Sequence, residues 1–250
     1  RAHDLAMLFH LNSEPWMNTQ AYDEPSPPPP IFSIETAPRV PLPPAKDCSI
    51  VELIRSRYSC REFSGDALAA AALGTLLQHS YGFTGLREVA GVRLHHRPVP
   101  SAGALFPLEI YLLAENVTGI PNGGYHYAAW HHRLERVAGD ASIAALLPSL
   151  QEQQYLVGAN VLVFITAVFA RTMTKYGPRG YRYILLEAGH VAQNICLLAT
   201  ELGLATLCLG GFRESAINEV FKLDAPRKGA VYAVAIGHGM SPLSLQRAAK

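Results

Sequence analysis

Lys175 and Tyr176 stand in the chemically richest stretch of the chain, Arg171-Thr-Met-Thr-Lys-Tyr-Gly-Pro-Arg-Gly-Tyr-Arg-Tyr183, which gathers three arginines, one lysine and three tyrosines. A lysine crowded by cations and partly desolvated loses its proton near neutrality and can act as a base, and an adjacent tyrosine can share or relay that proton. An exposed basic loop has the same composition, so both readings stay open at this point. A second candidate is Arg57-Tyr58-Ser59-Cys60-Arg61. Two guanidinium groups at i and i+4, with a hydroxyl between them, can converge on one anion of phosphate size. Two solvated surface arginines would look no different. Pro100-Ser101-Ala102-Gly103-Ala104-Leu105-Phe106-Pro107 is a small-residue loop, and Leu209-Gly210-Gly211-Phe212 is a shorter one. Without bulky side chains, such loops let backbone amides approach a flat ligand closely, although ordinary turns use the same residues.

Other chemistries lack their residues. No GxGxxG follows a strand pattern and no GxxxxGK[ST] occurs, while Gly237-His238-Gly239 ends a strand pattern with no helix pattern after it. His95-His96, His126 and His131-His132 have no carboxylate or thiol at ligand spacing, so no metal site is expected. Cys48, Cys60, Cys196 and Cys208 form no CxxC pair, and the last two lie in apolar stretches where a thiol behaves as a small hydrophobe. A reduced, cytoplasmic protein is expected. The net charge of +1 gives no field to hold nucleic acid or an anionic membrane. The longest apolar tract, residues 183–209, is broken by Glu187, His190, Gln193, Asn194 and Glu201, so no transmembrane helix is expected.

The elements that must position the candidates mix strands and helices without regular alternation, which points to an α+β domain. Ten of the 18 prolines fall at or before Pro44, so residues 1–46 read as an extended Pro-rich arm and 47–250 as the folded domain. Such an arm suits wrapping a neighbouring subunit or linking to an upstream segment. Ser49-Ile50-Val51-Glu52 has the form of a capping box opening a helix that ends near Ser56. Ala67–His79 reads as a helix stopped at Gly82, and Leu108–Ala114, Val161–Val168, Ala205–Leu209 and Val231–Ile236 as strands. Gly123-Gly124 marks a turn into Tyr125–Trp130, and Asp140 caps a helical stretch that Pro148 must split. Tyr183–Leu202 is a long helix, apolar nearly all round and therefore central, and Glu214–Phe221 a shorter amphipathic one. With 49% apolar and only 16% charged residues, the chain needs a large core or an extensive subunit interface.

In combination these segments resemble the FMN-dependent nitroreductase superfamily, and within it the SagB-type dehydrogenases. Ser56-Arg57-Tyr58-Ser59-Cys60-Arg61-Glu62-Phe63 is similar to the superfamily's Arg-x-Ser-x-Arg-x-Phe signature, and Pro100–Pro107 to the SagB-type subfamily's Pro-Ser-Gly-Gly-Ala-Leu-Tyr-Pro loop. Tyr181–Asn194 is similar to the central helix and Lys175-Tyr176 to the Lys-Tyr pair of the azoline-oxidising members. The resemblance implies an intertwined homodimer with a central, mostly antiparallel sheet flanked by helices, and FMN at the subunit interface. Arg57, Tyr58, Ser59 and Arg61 would hold the phosphate and ribityl chain, with His238 standing where an arginine often adds a contact. Pro100, Ser101, Ala102, Gly103, Ala104 and Leu105 would line the flavin from the partner subunit, and Leu209, Gly210 and Gly211 would face its N5 edge. It further implies oxidation of a thiazoline or oxazoline in a peptide or carrier-bound substrate, with Lys175 and Tyr176 removing the proton. A cyclodehydratase complex or a synthetase module would then be the partner. An NAD(P)H-dependent nitroreductase or quinone reductase, and a non-catalytic scaffold subunit, are the alternatives.

Overall fold

The computed structural model describes residues 4–13, 40–151 and 153–239. Helix α1 (Asp4–Asn12) lies inside the segment expected to be extended, so that expectation fails there. One face of the helix supplies the reason: Ala6 and Met7 pack against the core of the domain, and buried His10 lies edge-on against Phe169 and Tyr181. Most of the Pro-rich run lies outside the described residues. Then follow α2 (Ser49–Ser56), β1 (Leu68–Ala69), α3 (Ala70–Tyr81), β2 (Gly85–Val89), β3 (Val92–His96), β4 (Leu108–Ala114), β5 (Val117–Thr118), β6 (Gly123–Ala128) and β7 (Arg133–Ala138). The second half holds α4 (Ile143–Leu146), β8 (Val161–Val168), α5 (Phe169–Tyr176), α6 (Arg179–Glu201), β9 (Ala205–Leu209), α7 (Glu214–Val220) and β10 (Lys228–Gly237).

Six strands make one antiparallel sheet in the order β7-β6-β4-β8-β10-β9. The apolar run of β8 explains its central place, because a strand with no polar face must be covered on both sides. All of its residues but Val168 are buried. One face of the sheet packs on α3, α5 and α6, and the opposite face on Ile143, Leu146, Phe212 and Ile217 around α4 and α7. This is the α+β architecture the resemblance implied. Among the described residues no helix is long and apolar enough to cross a membrane.

Three local expectations are corrected. The capping box does not form: Cys48 is the N-cap of α2 with no side-chain cap bond, and Ser49 is already helical. Ser142, not Asp140, caps α4, its Oγ accepting from the Ala145 amide at 3.1 Å, and Pro148 then diverts the chain into a 3-10 turn. Helix α6 begins at Arg179, ahead of Tyr183, because Gly180 lets it pack onto α5: a Cβ there would lie 2.9 Å from Met173 Cα.

On the sheet's β4-β6-β7 end, His126 bridges two carboxylates, with Nε2 and Nδ1 each 3.2 Å from Glu109 and Glu135 oxygens. Arg171 faces Glu109 at 2.6 Å and Arg133 faces Glu135 at 2.8 Å. The Glu109 bond, more than half-burial opposes, raises His126 above its ordinary value. A raised folded-state value favours the protonated fold, so this stabilisation is complete below about pH 6.5 and lost as pH rises through the raised value. Between about pH 6 and pH 9 the melting-temperature advantage of the native chain over His126→Gln is therefore expected to shrink by about 2–4 °C, equivalent to on the order of 1 kcal/mol. Scanning calorimetry at both pH values checks it; an unchanged gap overturns it.

Candidate active site

The segment after α2 is extended rather than helical, and this explains its spacing. Ser59 pairs with Thr206 and Phe63 with Gly239 in isolated β-bridges, while the Cys60 amide donates to Thr206 O and the Ser64 amide to His238 O, both at 2.8 Å. Alternate residues of an extended chain face opposite ways. Cys60 accordingly turns into the core, and Arg57, Ser59 and Arg61 share the other side, where Ser59 and Arg61 are exposed. Among the described residues neither Arg57 nor Arg61 has a carboxylate partner; Arg61 lies 5.6 Å from the Tyr155 ring centroid. A cleft of about 230 Å³ opens along the same segment, lined by Ser56, Tyr58, Thr200, Leu204, Thr206 and Gly239 and not by Arg57, Ser59 or Arg61. His238 joins this cluster through its carbonyl.

Lys175 and Tyr176 are the last residues of α5, which Gly177 ends at φ 58°. Tyr176 packs edge-on against Tyr183 at 5.2 Å, and Lys175 Nζ lies 5.3 Å from the Tyr176 ring centroid. Gly103 meets both side chains. A Cβ on Gly103 would fall 2.8 Å from Tyr176 Oη and 3.0 Å from Lys175 Nζ, at a φ of 64° that also disfavours any side chain. The small-residue loop and the candidate base are thus one cluster, although far apart in sequence.

Gly103, Ala104 and Phe106 all have positive φ, at 64°, 54° and 44°. Such backbone persists only where its surroundings determine it, and here a polar network does. Ser101 Oγ accepts from the Phe106 amide at 2.9 Å, and Arg171 Nη1 donates to Phe106 O at 3.2 Å. Tyr81 Oη donates to Glu187 Oε1 at 2.9 Å and accepts from the Leu108 amide at 3.2 Å. Arg97 lies 4.4 Å from the Tyr81 ring centroid and donates to Tyr81 O at 2.8 Å. Burial raises Glu187 above its ordinary value, opposed by its bonds to Ser101 and Tyr81. Sequence reasoning missed Tyr81, Arg97 and Glu187; the only visible signal was Glu187 as a charge inside an apolar tract. Tyr81→Phe strips one bond each from a buried carboxyl and a buried amide, so a loss of about 1–3 kcal/mol is expected in urea unfolding.

The third candidate, Leu209-Gly210-Gly211, lies elsewhere. Gly211 O accepts from the Gln151 amide at 3.0 Å, and a Cβ on Gly211 would run into the Gln151 side chain. Gly210 is exposed, with open space on its Cβ side. Across the molecule, α6 separates the other two clusters. Tyr176 packs on its first turns, whereas Thr200 at its far end lines the cleft with Tyr58. A helix of 23 residues is about 35 Å long.

An antiparallel sheet sandwiched by helices, with an arginine–serine strand at one end of the central helix and a lysine–tyrosine pair at the other, defines a nitroreductase-like fold. The chain belongs to the nitroreductase family, whose profile matches residues 54–238. It is 34% identical over 184 residues to the nitroreductase-family protein MJ1384 of Methanocaldococcus jannaschii, covering 74% of this chain and 89% of that one. It is 34% identical over 134 residues to the microcin B17-processing protein McbC of Escherichia coli, covering 51% of this chain but only 49% of McbC. The solved E. coli microcin synthetase McbBCD complex, with truncated pro-MccB17 bound, superimposes with a TM-score of 0.71 over 96% of this chain and 94% of that one, at 23% identity. That likeness establishes the fold.

Proposed function

We propose that this chain is an FMN-dependent dehydrogenase that oxidises a thiazoline or oxazoline ring in a peptide to the azole, working as a homodimer. The observation that carries the reading is the convergence of Lys175 Nζ and Tyr176 Oη on Gly103. A reductase of nitro groups needs no base at that place, whereas removal of a carbon-bound proton does. Kinship with a microcin-processing protein supports a peptide as the substrate.

The residues present fit FMN. Arg57, Ser59 and Arg61 face one way from an extended strand and, among the described residues, the two arginines have no carboxylate to neutralise them, which leaves their charge for an anion such as a phosphate. Gly210 leaves open space where a flat ring could approach the backbone. When bound, FMN supplies the two-electron acceptor that the oxidation requires. Lys175 takes the proton from the ring carbon next to the peptide carbonyl, the position which that carbonyl acidifies, and Tyr176 holds or relays it. The strained loop from Ser101 to Phe106 fixes where the pair points.

The length of α6 supports the homodimer reading, because a substrate cannot meet both ends of one helix. Two copies running opposite ways bring the Lys175 end of one to the Arg57 end of the other. Ile50 and Ile54 on α2 and Leu186 on α6 are 46%, 53% and 57% exposed, as an unpaired obligate interface leaves them. Burial there would desolvate Lys175, which is exposed in a single chain.

The test is turnover of a peptide bearing one thiazoline by the FMN-loaded protein. A mass loss of about 2 Da with azole absorbance is expected, since two hydrogens leave the ring. Fast flavin reduction by NAD(P)H with nitroaromatic turnover and an untouched thiazoline would replace this reading by the reductase one. A protein that stays colourless after incubation with FMN removes both.

A further inference from the structure

Cys196 on α6 and Cys208 on β9 are free thiols whose Sγ atoms lie 3.6 Å apart, in a pairing no spacing rule signals. Cys196 is buried and Cys208 half-buried. Both lie within the electrostatic reach of Arg57, and the Tyr232 hydroxyl bonds to Cys208. The bond from Cys196, joined by Tyr232 and Arg57 and opposed by burial, holds the Cys208 thiol well below its ordinary range, while the same pairing pushes Cys196 up. The reactive form of a cysteine is the thiolate, favoured beside a cation. The other two cysteines lack this setting: Cys60 is buried and donates to Glu62 O at 3.2 Å, and Cys48 is exposed.

We propose that Cys196 and Cys208 are a peroxide-oxidisable dithiol, a modification site that closes to a disulfide beside Arg57. The Cys208 thiolate attacks one oxygen of hydrogen peroxide, the O–O bond breaks and hydroxide leaves, giving a sulfenic acid. The Cys196 thiol then attacks that sulfur, the S–O bond breaks and water departs, leaving the S–S bond. In sum, two thiols lose two electrons and two protons, and one peroxide becomes two waters. The sulfurs must close from 3.6 Å to about 2.05 Å to form the bond. Closure ties α6 to the sheet's edge strand and removes the negative charge facing Arg57.

Thiol counting on the purified protein tests this. After exposure to hydrogen peroxide, alkylation under denaturing conditions is expected to find two thiols where the untreated chain has four. The mass should fall by about 2 Da before alkylation, with a cross-linked peptide pair containing Cys196 and Cys208, and dithiothreitol should restore all four thiols. Cys208→Ser should keep its three thiols through the same treatment, and Cys196→Ser should accumulate a sulfenic acid at Cys208 that dimedone traps. Four surviving thiols in the native chain overturn the proposal, as does loss at Cys48 or Cys60 in place of the pair. So does a Cys208→Ser protein that oxidises like the native one. These readouts use neither flavin nor turnover, so a negative result bears on the dithiol alone.

Discussion

Lys175→Ala is expected to lower the rate of azole formation by at least about 10²-fold, some 2.7 kcal/mol of transition-state stabilisation, while the protein keeps its yellow colour. The size follows from the chemistry. A proton on carbon is not surrendered to water at a useful rate, so losing the base costs the full contribution of general base catalysis. Retention of the flavin is expected because Arg57, Ser59 and Arg61, not Lys175, would hold its phosphate and ribityl chain. Lys175 is exposed and, among the described residues, makes no ion pair that its loss would orphan, so folding stability should hardly move. Tyr176→Phe removes only the partner hydroxyl and should cost less. Added methylamine should recover part of the Lys175→Ala loss, with a rate that rises with pH as the free amine fraction grows, which a purely structural lysine would not produce. Normal turnover by a yellow Lys175→Ala protein would exclude Lys175 as the base.

What could be read without the structure divides along physical lines. The runs that build β4, β8 and α6 were legible because their apolar side chains can be satisfied only in the interior, and all three sit there. The β2–β3 hairpin was not legible: its strands are mostly exposed, so no buried face imposes alternation, and only the tight turn at Ala90-Gly91, both at positive φ, specifies it. Helix α1 was hidden for a similar reason, with Leu5, Leu8 and Phe9 still facing outward on the described chain. The candidate site was legible as residue types but not as geometry. The i, i+4 arginines suggest a helical turn or a strand equally well, and the β-bridges to Thr206 and Gly239 decide for a strand. The contact of Gly103 with Lys175 and Tyr176 depends on a loop at positive φ held by Tyr81, Ser101 and Glu187. Each of these is unremarkable alone in sequence.

Two inactive proteins are expected to restore each other. In Arg57→Ala the flavin end fails and in Lys175→Ala the base fails, so each homodimer should be nearly inert. If the two ends of α6 from different copies meet in one site, the mixed dimer holds one site carrying both changes and one carrying neither. Random pairing of equal amounts makes half the dimers mixed, each with one native site of two. Activity should therefore rise from near zero to about a quarter of the native value, by the combinatorics of a two-fold symmetric oligomer. If Arg57 and Lys175 of the same copy served one site, every site in the mixed dimer would carry one defect, and mixing would restore nothing. Co-expression with two affinity tags isolates the mixed dimer, in which the expected value is about half of native, since one of its two sites is intact. The outcome separates the two arrangements without any knowledge of the natural peptide, because one thiazoline substrate suffices to count working sites.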